Sequence, residues 1–108
     1  MSLYAMQKFL YDMNRDPGVQ QKFRTDLPGL LATYDLGDEE RAAIENRDIG
    51  LIYVLGANGQ LLMHYAAFLG MPGADYIAAM RDGVSRYGPV RAGVYTMTTG
   101  LDEKVADV

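Results

Sequence analysis

The chain has 108 residues, a net charge of −4 and no cysteine. A chain of that length forms one domain that buries about two thirds of its unfolded surface, and the missing thiols exclude disulfides, thiolate metal sites and cysteine nucleophiles. The acidic excess argues against a polyanionic partner such as nucleic acid.

Met1-Ser2-Leu3-Tyr4 shows no basic region leading into an apolar run, so no signal peptide is expected and a cytoplasmic location is. Ser2 is placed to cap a first helix, in which Leu3, Met6, Leu10 and Met13 recur at helical spacing as far as Asn14. Asp16-Pro17 joins an N-cap to a proline at the first helical position and opens a short helix through Phe23. Asp26-Leu27-Pro28 repeats that device for a helix carrying Leu30, Leu31 and Tyr34. Gly37 is a stop, and Asp38-Glu39-Glu40-Arg41 starts the next helix with acids where the helix dipole favours them.

Asn46-Arg47-Asp48 breaks that helix, and Asp48 caps the stretch from Ile49 to Phe68, which carries no formal charge apart from His64 when protonated. Ile52, Gly56, Gly59, Met63 and Ala66 share one helical face, and Leu51, Val54, Leu61, Tyr65 and Phe68 make another. A segment apolar nearly all round is expected to be buried on most sides. Gly56-Ala57-Asn58-Gly59 interrupts it with a stop and a new N-cap, so the spacing predicts two helices, one ending near Gly56 and one reaching Leu69. A membrane span needs ~20 apolar residues, but Asn58, Gln60 and His64 fall near the middle and no Lys/Arg cluster flanks the run, so none is expected.

Met71-Pro72-Gly73 reads as a turn, and Asp75 to Arg81 as a helix with Tyr76, Ile77 and Met80 as its apolar stripe. From Asp82 onward, Gly83, Gly88, Pro89, Gly93 and Gly100 punctuate the chain, and Val94 to Thr99 is β-branched and aromatic. An extended arm with a loose acidic tip is expected there. The predicted fold is all-α: a single domain of short helices over 1–81, packed around a central apolar helix pair, with an extended C-terminal arm over 82–108.

Chemistry-bearing residues are few. His64 is the sole histidine; it reads either as a partly buried, hydrogen-bonded helix residue or as a polar group facing a ligand pocket shared with another chain. One histidine without cysteine argues against a metal site built from this chain alone, the one alternative being two copies of His64 meeting across a two-fold axis. No Ser-His-Asp order and no G-x-S-x-G elbow occur. Gly56-x-x-Gly59 follows a helical pattern and lacks a Lys-Ser/Thr pair, so its glycines are expected to serve tight helix packing rather than phosphate binding. Asp38-Glu39-Glu40 reads as a solvated helix start. Arg81, Arg86 and Arg91, beside Tyr87 and Tyr95, either grip a partner or an anion or are simply solvated. Seven methionines and eight tyrosines exceed what one small core needs, so some are expected to face another subunit.

Taken in order, Leu30-Leu31-x-x-Tyr34-x-Leu36, Glu39-Glu40-x-x-Ala43-Ile44, Arg47-Asp48, Gly56-x-Asn58-x-x-Leu61-Leu62 and Leu69-Gly70 resemble a known pattern. Over Met6 to Met80 the chain resembles the small (alpha, LigA-type) subunit of protocatechuate 4,5-dioxygenase-like extradiol enzymes. The resemblance implies a helical subunit with no catalytic residue and no metal of its own. It also implies a large beta subunit whose Fe(II), held by two histidines and a glutamate, serves the addition of both atoms of O2 to a catechol-type ring. The small subunit would then be a lid that excludes solvent and positions substrate. On that footing Asn58, His64, Tyr65 and Phe68 are the candidates for a substrate pocket or partner interface. A stand-alone homologue of such a subunit fits the same resemblance, and the alternative is a helical protein-interaction or regulatory module that forms a homodimer, or another homo-oligomer, without oxygenase activity.

Overall fold

Aspartate and asparagine caps open four of this chain's helices. The computed structural model describes residues 2–91. The capping role expected of the Ser2 side chain, and the arm beyond Arg91, lie outside what it describes. Among the described residues there are seven helices and no strand: α1 (Ser2–Arg15), α2 (Pro17–Thr25), α3 (Leu27–Leu31), α4 (Asp38–Glu45), α5 (Ile49–Val54), α6 (Gly59–Phe68) and α7 (Gly73–Tyr87).

The caps form where the sequence places them. Asp16 accepts from the Gly18 N–H at 2.9 Å, Asp26 from Gly29 at 3.1 Å and Asp48 from Leu51 at 3.1 Å. Asn58 accepts from both Gln60 and Leu61, at 2.9 and 3.0 Å. Each such cap contributes about 1 kcal/mol. At α4 the cap position is Gly37, which has no side chain to donate or accept. There the buried Glu40 carboxylate reaches back to the Gly37 N–H at 2.8 Å, one half of a capping box.

Helix ends follow an equally local rule. After α4, α5 and α6 the residue past the cap turns left-handed: Arg47 (φ 53°), Gly56 (φ 106°) and Gly70 (φ 85°). In each case the next amide reaches back to close the last turn, Asp48 to the Ala43 carbonyl, Ala57 to Ile52 and Met71 to Ala66. Gly56 is therefore required by its backbone angle. Gly59 has open space where a Cβ would stand, so close packing does not explain it, contrary to expectation.

The core forms where α1 lays Ala5, Met6, Phe9, Leu10 and Met13 against Leu62, Tyr65 and Ala66 of α6. The Phe9 ring meets Tyr34 at 5.5 Å and Tyr65 at 5.8 Å, both edge to face, and Phe23 adds Tyr65 at 6.0 Å and Phe68 at 5.6 Å. Such pairs contribute about 0.5–1.5 kcal/mol beyond their burial. The central pair α5–α6 is present, but α6 is not buried all round. Met63 and His64 face outward. His64 is therefore exposed, not the partly buried histidine of one of the two readings above.

The helix expected to end at Arg81 runs on to Tyr87. Gly83 acts not as a breaker but as the residue on which α7 crosses α5. A Cβ on Gly83 would stand 2.5 Å from the Gly50 Cα, and one on Gly50 would stand 2.8 Å from the Gly83 Cα. The Tyr87 hydroxyl donates to Asp48 Oδ2 at 2.6 Å, tying the end of α7 to the cap of α5. Gly88 (φ 94°) then turns the chain back. The Arg91 N–H meets the Val54 carbonyl at 2.8 Å, and its guanidinium grips both Glu39 oxygens at 2.7 and 3.3 Å.

Candidate functional site

The two helices α5 and α7 run antiparallel, with Asp48 beside Tyr87, Gly50 beside Gly83, and the Tyr76 hydroxyl bonded to the Gly59 carbonyl at 2.8 Å. Close approach at the glycine pair leaves an open groove of about 360 Å³, lined by Tyr53, Ile77, Met80, Arg81 and Val84. The α7 members recur at i, i+3, i+4 and i+7, one face of the helix. Ile77 is 48% exposed and Val84 38%, although both are large and apolar. Chemically the groove offers apolar contact, the Tyr53 phenol and one guanidinium. Its mainly apolar lining suits the docking of another surface.

Of these five, the sequence reads Ile77 and Met80 as part of an apolar stripe, Arg81 as a cation that grips a partner or an anion or is simply solvated, and Tyr53 as one of eight tyrosines of which some face another subunit; Val84 is left unassigned. The signal was present in the spacing of 77, 80, 81 and 84. It was hidden because Gly83 read as the end of the helix.

None of the four candidates named from the sequence lines this groove. Asn58 is taken up as the cap of α6, and its own N–H is held by Gln7 Oε1 at 2.9 Å. His64 is exposed on the outer side of α6. Tyr65 and Phe68 come together through Phe23, which each meets edge to face. Phe68 is half-buried, with the Arg24 guanidinium 4.6 Å from its ring centre; Arg47 stands 5.7 Å from that of Phe23. The Tyr65 hydroxyl is buried without a hydrogen-bond partner. Burial pushes its pKa far above the usual phenol range, only partly opposed by Arg47, so the group stays protonated.

Among the described residues no three histidine or carboxylate side chains converge. Among the same residues no helix is long and apolar enough to cross a membrane.

Comparison with known proteins places this arrangement. The profile of the LigA family, described as aromatic-ring-opening dioxygenase LigAB, LigA subunit, matches residues 6–86. No curated protein and no solved structure gave a match. The family match takes in the capped helices, the α5–α6 break and the glycine crossing of α7, which together make up most of the chain. The chain belongs to the LigA family.

Proposed function

We propose that this chain is the non-catalytic small subunit of a cytoplasmic aromatic-ring-opening dioxygenase, and that it docks on a larger LigB-type subunit through the α5–α7 groove. The family match over residues 6–86 carries the reading. The exposed apolar groove supports it, since large apolar side chains left in water on one face mark a partner surface. In this reading the Fe(II) and the bond-making belong to the partner. What this chain supplies is a cover: it keeps bulk water from the reacting ring and holds the substrate in one orientation. His64 and Phe68, which reach the surface of α6, are the residues assigned to the substrate-facing side. Tyr65 and Asn58 support them, one as core and one as cap.

The test is to co-purify the tagged chain from its native lysate and to assay the eluate for iron and for ring cleavage. A larger iron protein, whose ring-opening rate falls when this chain is stripped away and returns when it is added back, is the expected result. A homo-oligomer without iron or activity overturns the reading in favour of an interaction module.

A further inference from the structure

One face of α1 is unused by everything described so far. Tyr4, Lys8, Tyr11 and Arg15 follow one another at four-, three- and four-residue steps. At about 100° per residue they fall within about 60° of arc, on the side opposite Met6, Phe9, Leu10 and Met13. All four are exposed, Tyr4 at 69% and Tyr11 at 43%. Aromatic and cationic side chains already associate along the helix. Arg15 stands 5.1 Å and Lys8 6.0 Å from the Tyr11 ring centre, and the Arg15 guanidinium reaches the Tyr11 hydroxyl.

The order of the stripe matters more than its composition. The four positions are symmetric about the peptide between Phe9 and Leu10. Tyr4 lies as far before it as Arg15 lies after it, and Lys8 as far before it as Tyr11 after it. An antiparallel copy of α1 on a two-fold axis at that point therefore sets Tyr4 against Arg15 and Lys8 against Tyr11, twice each. Every member then meets a complement, a cation over an aromatic ring. Parallel pairing in register would instead set Lys8 on Lys8 and Arg15 on Arg15, which repel. Asp12, bonded to Lys8 at 3.0 Å, lessens the one remaining repulsion, between the two Lys8 side chains near the axis.

We infer that α1 is a self-pairing surface, on which a second copy of this chain docks antiparallel through Tyr4, Lys8, Tyr11 and Arg15. The contact is isologous, as a two-fold demands. It shares no residue with the α5–α7 groove and does not depend on the reading of that groove. Two helix faces of this size bury less than the roughly 1,200 Å² of a standard interface, so the dimer is weak and tightens only with further contacts.

Sedimentation of the full chain over a concentration series reaching the millimolar range tests this, with helical content checked by circular dichroism. The wild-type chain is expected to dimerise weakly. Tyr4→Arg sets a guanidinium opposite Arg15 and is expected to weaken the dimer by about tenfold or more. Tyr4→Arg combined with Arg15→Tyr exchanges the two partners and is expected to restore it, which no merely adhesive face would do. Tyr11→Ala, which adds no charge, is expected to weaken the dimer and stands in should Tyr4→Arg lose its fold. A wild-type chain that stays monomeric overturns the inference and leaves the stripe to a different polypeptide. A dimer indifferent to Tyr4→Arg, or one that the double exchange does not rescue, overturns the antiparallel register.

Discussion

Gly50 and Gly83 meet backbone to backbone, with no room for a methyl group on either. A Cβ on Gly83 would stand 2.5 Å from the Gly50 Cα, carbonyl carbon and carbonyl oxygen alike. No flexible side chain lies there to move aside, so a substitution must push α5 and α7 apart. Gly83→Ala gains about 1 kcal/mol of helix propensity but meets an overpacking cost of about 1–3 kcal/mol or more. We expect net destabilisation by about 1–2 kcal/mol in urea unfolding, with the groove opened as well. Gly73→Ala, at a position with open space around it, is the control and should change stability by no more than about 0.5 kcal/mol.

The Tyr65 hydroxyl makes no hydrogen bond in the core, and an unsatisfied buried hydroxyl costs about 1–3 kcal/mol. Tyr65→Phe is therefore expected to leave stability unchanged or raise it by up to about 1 kcal/mol. Tyr34→Phe should do the reverse. Its hydroxyl donates to the Asp12 carboxylate at 2.7 Å, and losing a bond to a charged group costs about 1.5–3 kcal/mol. Thermal melts of the two variants side by side decide the matter, and a clear loss in Tyr65→Phe would mean that the hydroxyl has a bound partner.

Asp12 sets the acid limit. Burial alone would raise its pKa, but the Tyr34 hydroxyl and the Lys8 ammonium together outweigh burial and hold the carboxyl below its ordinary value of 3.8. A carboxylate with a lowered folded-state pKa stabilises fully above its unfolded value and loses that contribution as pH falls through the folded one. Stability should thus decline below about pH 4. Asp12→Asn should be less stable at neutral pH and should flatten the decline without abolishing it, because Glu39, held low by Arg91, titrates over the same window. Denaturant midpoints at a series of pH values give the slope directly.

For the groove, Ile77→Glu and Val84→Glu place a carboxylate on a surface that is already partly in water. Fold stability should move by no more than about 0.5 kcal/mol, while, on the proposed function, binding of the LigB-type partner falls by about 30-fold or more, as when a central apolar contact costs 2 kcal/mol. Titrating each variant into a LigB-type subunit, where the proposed function holds, and measuring affinity beside unfolding separates docking from folding.

Much of this fold was legible because much of it is local. An N-cap at Asp16, Asp26, Asp48 or Asn58 involves a side chain and an amide two or three residues away, so a short window of sequence contains the whole interaction. The same is true of the left-handed exit at Gly56. What could not be read depended on distant partners. Gly83 looks like a helix breaker until Gly50 is known to lie beneath it. His64 sits among apolar neighbours in sequence, yet α1 covers a different side of α6 and leaves it in water. The groove follows from the first of these, since it lies where α7 continues past Arg81 and crosses α5.

The return of the chain at Gly88 bears on how the domain folds. The last carbonyl of α5, at Val54, is satisfied by the Arg91 amide, and the Glu39–Arg91 ion pair holds that amide in place across α4. A six-residue helix is too short to be an independent nucleus, and this one also draws on a residue remote in sequence. The Val54 carbonyl finds this partner only where the chain has doubled back past α7. Slow hydrogen exchange at the Arg91 amide would then report global closure of the domain rather than any local event.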